Sequence, residues 1–291
     1  MVERTVVTGI DGSSSALRAA RWAAGEARRR SARLHLLHCD VKSLVVVPDA
    51  PVVPPRQMFL DSVREEAEES LRLAGEQVRE VAPDVVVETE FRMEAPSSGL
   101  VEQSRRAELV VLGSRGLGGF TGLLIGSVAI AVAAHAQCPV AVVRGEHEPD
   151  GTEPVVVGVS GSRHDVAALG CAFGFAAARE VPLRAVHAWH SLAGDEARLR
   201  HRVDDGWAVT RSDEERLLTE ALAGWSEEHP DVVVQRFAPL DKPVRALLSH
   251  AAQAQLVVVG ARGRGGFTGL VLGSTSQQLV QHSPCPVVIA R

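Results

Sequence analysis

Short valine-rich apolar runs alternate along the chain with longer mixed stretches, and turns rich in glycine and serine separate them. In the N-terminal half this pattern predicts strands at Thr5–Ile10, Arg33–His38, Val85–Arg92, Leu109–Leu112 and Val140–Arg144. Helices are predicted between them at Ser14–Arg30, Asp61–Val81, Ser97–Arg106 and Ser127–Ala136. Near-continuous apolar strands that alternate with helices imply an α/β fold, a parallel sheet covered on both faces. Ligands of such sheets bind beyond the carboxyl ends of the strands, where the strand order switches.

The same succession occurs twice. TVVTGIDGSSSALRAA, from Thr5, aligns without a gap on PVVVGVSGSRHDVAAL, from Pro154, pairing Gly9 with Gly158, Gly12 with Gly161 and Ser13 with Ser162. The register runs on through RLHLLH and PLRAVH, which pairs His38 with His187. Residues 109–144 and 256–291 agree at about half their positions, including Cys138–Val140 and Cys285–Val287. The halves meet near RGEHEPDGTEP, a charged joint that carries Gly and Pro. Two homologous domains are therefore expected, at 1–148 and 149–291.

Composition narrows the class. With 45% hydrophobic and 23% charged residues the chain has the make-up of a soluble globular protein. A net charge of −5 gives no electrostatic case for nucleic acid or an anionic membrane. No apolar run approaches the ~20 residues that span a bilayer, and the N-terminus lacks the long apolar region of a signal peptide. The four cysteines, Cys39, Cys138, Cys171 and Cys285, form no Cys-x-x-Cys pair. Their scatter argues against a zinc site or a disulfide framework and leads to the expectation of a cytoplasmic protein.

Two glycine-rich stretches carry the candidate chemistry. GSRGLGGFTGLLIGS follows the apolar run ELVVL, and GARGRGGFTGLVLGS follows QLVVV. Their shared spacing is Gly113-x2-Gly116-x9-Gly126-Ser127 and Gly260-x2-Gly263-x9-Gly273-Ser274. Glycine permits positive φ and lets backbone N–H groups approach an anion. Gly-Ser at a helix start adds unpaired N–H groups, the positive dipole end and a hydroxyl. Together these read as a phosphate cradle made mostly of backbone. A Walker A loop is excluded because Gly-x4-Gly-Lys-Ser/Thr is absent. Arg115 and Arg262 are candidate cations, although a loop arginine is often only solvated. Val128 and Thr275 complete the candidate set as the next residue of each helix.

On these motifs, together with the opening VVTGIDGSSSA and the terminal CPVAVV and CPVVIA, the chain resembles the universal stress protein family in its tandem form. The resemblance covers both halves. It implies two Rossmann-like domains, each a five-stranded parallel sheet of order 3-2-1-4-5 with helices on both faces. It also implies ATP, with Mg²⁺, as the ligand. By position, Gly113, Gly116, Gly126 and Ser127 would line ribose and phosphates, as would Gly260, Gly263, Gly273 and Ser274. Asp11 matches the family's acidic residue beside the nucleotide. Backbone groups around Cys39–Val41 and Ala188–His190 would flank the adenine. The second half departs at Ser160, which stands where the first has Asp11. Asp11 has a second reading, as a cap of the turn into the first helix.

Weaker motifs remain. VSGSRHDV carries part of the SGGxDS loop of ATP pyrophosphatases but lacks its second Gly and its final Ser. His38 and His187 read as ordinary strand-end histidines. The proline-bearing segment 45–59 reads as a surface loop or as a cover for the nucleotide edge. The last strand of each half is strongly apolar and expected at a sheet edge, which favours an intramolecular pseudo-dimer and allows a homodimer. Three function classes follow. The first is a nucleotide-binding stress protein acting through conformation or partners. The second is an ATP hydrolase or phosphoryl/adenylyl transferase, for which no base with an orienting partner recurs in both halves. The third is a dimerisation module without a ligand.

Overall fold

The computed structural model describes residues 4–41, 56–116, 125–145, 151–162, 165–189, 205–263 and 272–291. The chain divides into two compact units, Met1–Arg144 and Gly145–Arg291. In the first, β1 (Thr5–Gly9), α1 (Ser14–Arg29), β2 (Arg33–Cys39), α2 (Arg56–Val81) and β3 (Val87–Arg92) precede α3 (Pro96–Gln103), β4 (Leu109–Gly113), α4 (Ser127–His135) and β5 (Val140–Val143). The second repeats this with β6 (Val155–Gly158), α5 (Asp165–Arg179), β7 (Leu183–Val186), α6 (Asp205–Glu228) and β8 (Val234–Phe237). It ends with α7 (Pro243–Ala251), β9 (Leu256–Gly260), α8 (Ser274–His282) and β10 (Val287–Ala290). Strand order is β3-β2-β1-β4-β5 in one unit and β8-β7-β6-β9-β10 in the other. The paired strands run parallel. Val6 of β1 pairs with Leu34 and Leu109, and Val155 of β6 pairs with Leu183 and Leu256. Both α/β sheets thus have the order implied by the resemblance.

The burial of each strand follows from its place in that order. Val6, Val7, Leu109, Val110, Val155 and Val156 are closed off on both faces, as a sheet sandwiched between helices demands. β3 stands at the end of its sheet and reads VETEFR, with Glu88 and Thr89 exposed. α1 lays Ala16, Ala19, Ala20, Ala23, Ala24 and Ala27 into the interior. This stripe recurs every three or four residues and consists of methyl groups, so the helix axis sits close to the sheet. The connection from α1 to β2 turns at Ser31 with φ 50°, and the connection from α5 to β7 turns at its counterpart Glu180 with φ 55°. The duplication is therefore visible even in backbone conformations that non-glycine residues seldom take.

Element boundaries shift for local reasons. β3 starts at Val87, not Val85, because the Val85 N–H donates to Ala82 O at 3.2 Å in a turn after α2. α3 opens with Pro96 in its first turn, where the missing N–H costs nothing. It stops at Gln103, since Arg105 and Arg106 donate to Glu102 O and Gln103 O in tight turns. α2 begins at Arg56, five residues before the expected Asp61. Residues 45–55 of the proline-bearing segment lie outside the described residues. Among the described residues no helix is long and apolar enough to cross a membrane.

Candidate functional site

In the first unit the carboxyl ends of β1 and β4 and the first turns of α1 and α4 enclose a cavity of about 400 Å³. Asp11, Gly113, Arg115, Gly116, Gly126, Ser127 and Val128 all line it. Val41, just beyond β2, is not among its lining residues. Apolar walls come from Leu37, Leu100, Leu112 and Ile125, with Cys39 and Ala16 beside them. Residues 117–124, the middle of the glycine-rich stretch, lie outside the described residues.

Serines tie the start of α1 to the exit of β4 beside the cavity. Ser13 caps α1, its Oγ accepting from Ala16 N at 3.1 Å. The same Oγ donates to Arg115 O at 3.3 Å, and Arg115 N donates to Ser15 Oγ at 3.3 Å. These contacts draw the exit of β4 against the start of α1. They leave no room at Gly113, where a Cβ would come within 2.7 Å of the backbone carbon of Ser15. Gly116 is exposed, and a Cβ there would meet the Asp11 carboxylate at Oδ2. The structure thus ties both glycines to close approach. Among the described residues positive φ is confined in glycine to Gly12 (83°), Gly145, Gly151 and Gly161 (72°), so the glycines of the shared spacing are not there for φ. Gly12 and its counterpart Gly161 make the turn between strand and helix.

Asp11 fulfils its capping role: Oδ1 accepts from Ser13 N at 3.0 Å. Its other oxygen faces Gly116, so one carboxylate links the turn to the glycine-rich loop. Gly126, extended at φ −73° and ψ 144°, hands the chain to α4 with its N–H on Ser114 O at 2.8 Å. The first N–H groups of α4, on Ser127, Val128 and Ala129, have no intrahelical acceptor and carry the positive end of the helix dipole. Arg115 is exposed at the rim. Burial, and then the charge of Arg115, make Arg144 hold its proton less tightly than an ordinary arginine, so two cations lie near one another there. Burial first, and Glu94 next, push the Cys39 thiol up to about 12 against the opposing pull of Arg92. Cys39 therefore contributes shape and not a thiolate. Among the described residues no group of three or more His, Cys, Asp or Glu could hold a metal ion.

The second unit repeats the frame with different chemistry. Gly260 ends β9, and Gly273 starts α8 with its N–H on Ala261 O at 2.8 Å, as Gly126 does on Ser114 O. Ser274 and Arg262 are exposed, and Thr275 and Gly263 are half-buried. Among the described residues nothing lies within 4 Å of a Cβ placed at Gly263. Ser276 Oγ ties the helix back by donating to Gly260 O at 2.7 Å. In the turn after β6, buried Asp165 accepts from Ser160 N, Ser160 Oγ and Ser162 N at 3.0, 2.8 and 3.0 Å. His187 is more than a strand-end histidine. It is buried, with Nδ1 2.8 Å from Val159 O and Nε2 2.8 Å from Glu214 Oε2 of α6. Its counterpart His38 lies edge-on to Phe91, ring centroids 5.9 Å apart. After β7, the Trp189 N–H donates to Pro239 O at 3.1 Å; His190 and residues 264–271 lie outside the described residues.

Sequence reasoning missed Asp165 and Glu214 as well as the apolar walls. Leu37 and Leu100 look like any core leucine in the sequence, and Glu214 is one acidic residue in a long charged helix.

The profile of the universal stress protein family matches this chain twice, over residues 3–144 and 151–291. A universal stress protein of Mycolicibacterium smegmatis is 37% identical over 298 residues, covering 99% of this chain and 97% of that protein. One from Mycobacterium tuberculosis is 37% identical over 299 residues, covering 98% and 96%. Among solved structures, a universal stress protein from Archaeoglobus fulgidus covers 99% of this chain and 98% of its own at 19% identity, with a TM-score of 0.69, a likeness of fold. Duplicated sheets of the same strand order, a twice-matched profile and full-length relatives agree: the chain belongs to the universal stress protein family and carries two of its domains in tandem.

Proposed function

We propose that the protein is a nucleotide-binding member of its family, holding ATP in the first half and acting through the conformation or partners that the bound nucleotide favours. The observation that carries this reading is the cavity at the end of β1 and β4. There the Asp11 carboxylate, the N-terminus of α4, Gly113 and Gly116 face one space. Helix N-terminal N–H groups and the rim cation Arg115 suit phosphates, and Leu37, Leu100 and Ile125 suit a flat apolar ring. For Mg²⁺ the described residues of the wall offer a single carboxylate, Asp11. An ion there would take most of its oxygen ligands from phosphates and water. None of the four cysteines is joined in a disulfide, which supports a reducing compartment such as the cytoplasm.

The test is calorimetric titration of ATP into the full chain, beside mass spectrometry of small molecules released from it. Wild-type protein should bind ATP. Asp11→Asn, which keeps the shape and a cap for Ser13 N, should weaken binding by about ten- to a hundredfold, the worth of one charge-assisted hydrogen bond. No heat with ATP, and no released nucleotide, would overturn the reading. Phosphate release at a rate tracking occupancy would turn it towards an ATP hydrolase.

A further inference from the structure

The turn between first strand and first helix does one structural task in both units, with carboxylates from different places in the sequence. In the first unit the Ser13 N–H is held at 3.0 Å by Asp11, two residues before it. In the second the equivalent Ser162 N–H is held at 3.0 Å by Asp165, three residues after it. Asp165 is the counterpart of Ala16, which lines the first unit's cavity, and Ser160 is the counterpart of Asp11. The carboxylate has thus moved five positions along an otherwise matching turn.

The move changes what the acid faces. Asp11 divides its oxygens, Oδ1 on the turn and Oδ2 on the side of Gly116. Asp165 spends both on the turn: the Ser160 N–H donates to each oxygen at 3.0 Å, the Ser160 hydroxyl adds a bond at 2.8 Å to Oδ1, and Ser162 N takes Oδ2. It is 7% exposed. On the loop side, a Cβ at Gly116 would meet the Asp11 carboxylate, whereas among the described residues a Cβ at Gly263 would meet nothing within 4 Å. The second half has kept the capping part of the acid's work and lost the part directed at the glycine-rich loop. It also has a fixed negative charge at the position where the first half presents a methyl group. The donors of the turn before α5, on Ser160 and Ser162, are thus all directed at one internal carboxylate.

From this juxtaposition we propose that Asp165 is a specificity-determining residue of the second half. As an internal anion it saturates the β6–α5 turn and restricts nucleotide binding to the first half, one nucleotide per chain. This rests on the reading of the first half as a nucleotide site. Its structural core, the transfer of the cap from Asp11 to Asp165, is independent of any ligand.

The experiment is a double-mutant cycle on the full chain with two readouts. Asp165→Ala alone should lower the unfolding temperature of the second unit, and Ser160→Asp with Asp165→Ala, which copies the first unit's turn, should recover most of the loss. The same double variant, titrated with ATP, should gain a second site at least tenfold tighter than any binding by the wild-type second half. Wild-type protein that titrates two equal sites would overturn the proposal. So would a folded double variant that recovers no stability, or one that recovers it and still binds a single nucleotide. A chain that binds no ATP in either form removes the first-half reading and the nucleotide part of this one. The stability cycle then still decides the transfer of the cap.

Discussion

Gly116 and Gly263 occupy the same place in two copies of one loop, yet among the described residues only the first has a neighbour that a methyl group would strike. That neighbour is Asp11, so the two alanine substitutions should part company. Gly116→Ala pushes the carboxylate off its line between the Ser13 N–H and the loop. It should weaken ATP binding about tenfold, with an unfolding temperature changed by only a few degrees. Gly263→Ala should leave both quantities as they are. Equal effects of the two, measured by titration and calorimetry on the same preparations, would remove the assigned role of Asp11. This level of detail was only partly legible in the sequence. The repeat spacing and the acid after the first strand were plain to read. Comparing the halves exposed the loss of Asp11 at Ser160 but not its replacement, because Asp165 aligns with an alanine. A compensation that crosses from strand end to helix start leaves no mark in a position-by-position comparison.

At the level of elements, the alternation of apolar run and helix located every strand of the first half to within two residues. For the strands inside the sheet it did so because strands buried on both faces can be made of little else. The errors fell where short-range hydrogen bonds decide, at the turns after α2 and α3, and at α2, whose first turn lies in a proline-bearing stretch. Side chains linking distant elements were not legible either: Glu214 meets His187 across 27 residues. A further such link supplies a pH test. His250 of α7 lies against Phe237 of β8 with ring centroids 4.6 Å apart. Burial foremost, and the Arg184 charge second, lower its affinity for a proton below that of an ordinary histidine. In the unfolded chain the ring titrates near about 6.5. Between the folded and unfolded values, the unfolded state therefore holds more protons. The contribution is complete above the unfolded value and is lost as pH falls through the folded one. Thermal unfolding of the second unit should drop between pH 7.5 and pH 5, and His250→Gln should flatten part of that slope. An unchanged slope in the variant would place the acid sensitivity elsewhere.

On the scale of the whole molecule, tandem organisation was the most legible feature, since duplication is written in the sequence itself. Strand order was not; it entered through the family resemblance, because apolar runs state what is buried and not which neighbour they meet. That order has a further consequence, for synthesis and refolding. β1 must wait for β4, whose first residue follows about a hundred positions later, before the centre of the sheet exists. Sequence-distant pairing of this kind makes folding slow. β4 reads LVVLG and β9 reads LVVVG, so a β1 still unpaired when both copies are present meets two nearly identical edges, only one of them its own. Refolding of the full chain from urea should show a slow phase from mispaired copies, shortened by Val257→Thr with Val258→Thr, which makes the second copy a poorer impostor. If that variant, stable enough to refold, keeps the slow phase unchanged, the twin edges do not compete. A gene duplication that doubles a parallel α/β domain also doubles the wrong partners for its own first strand. Divergence between the copies is then useful to folding before it is useful to function.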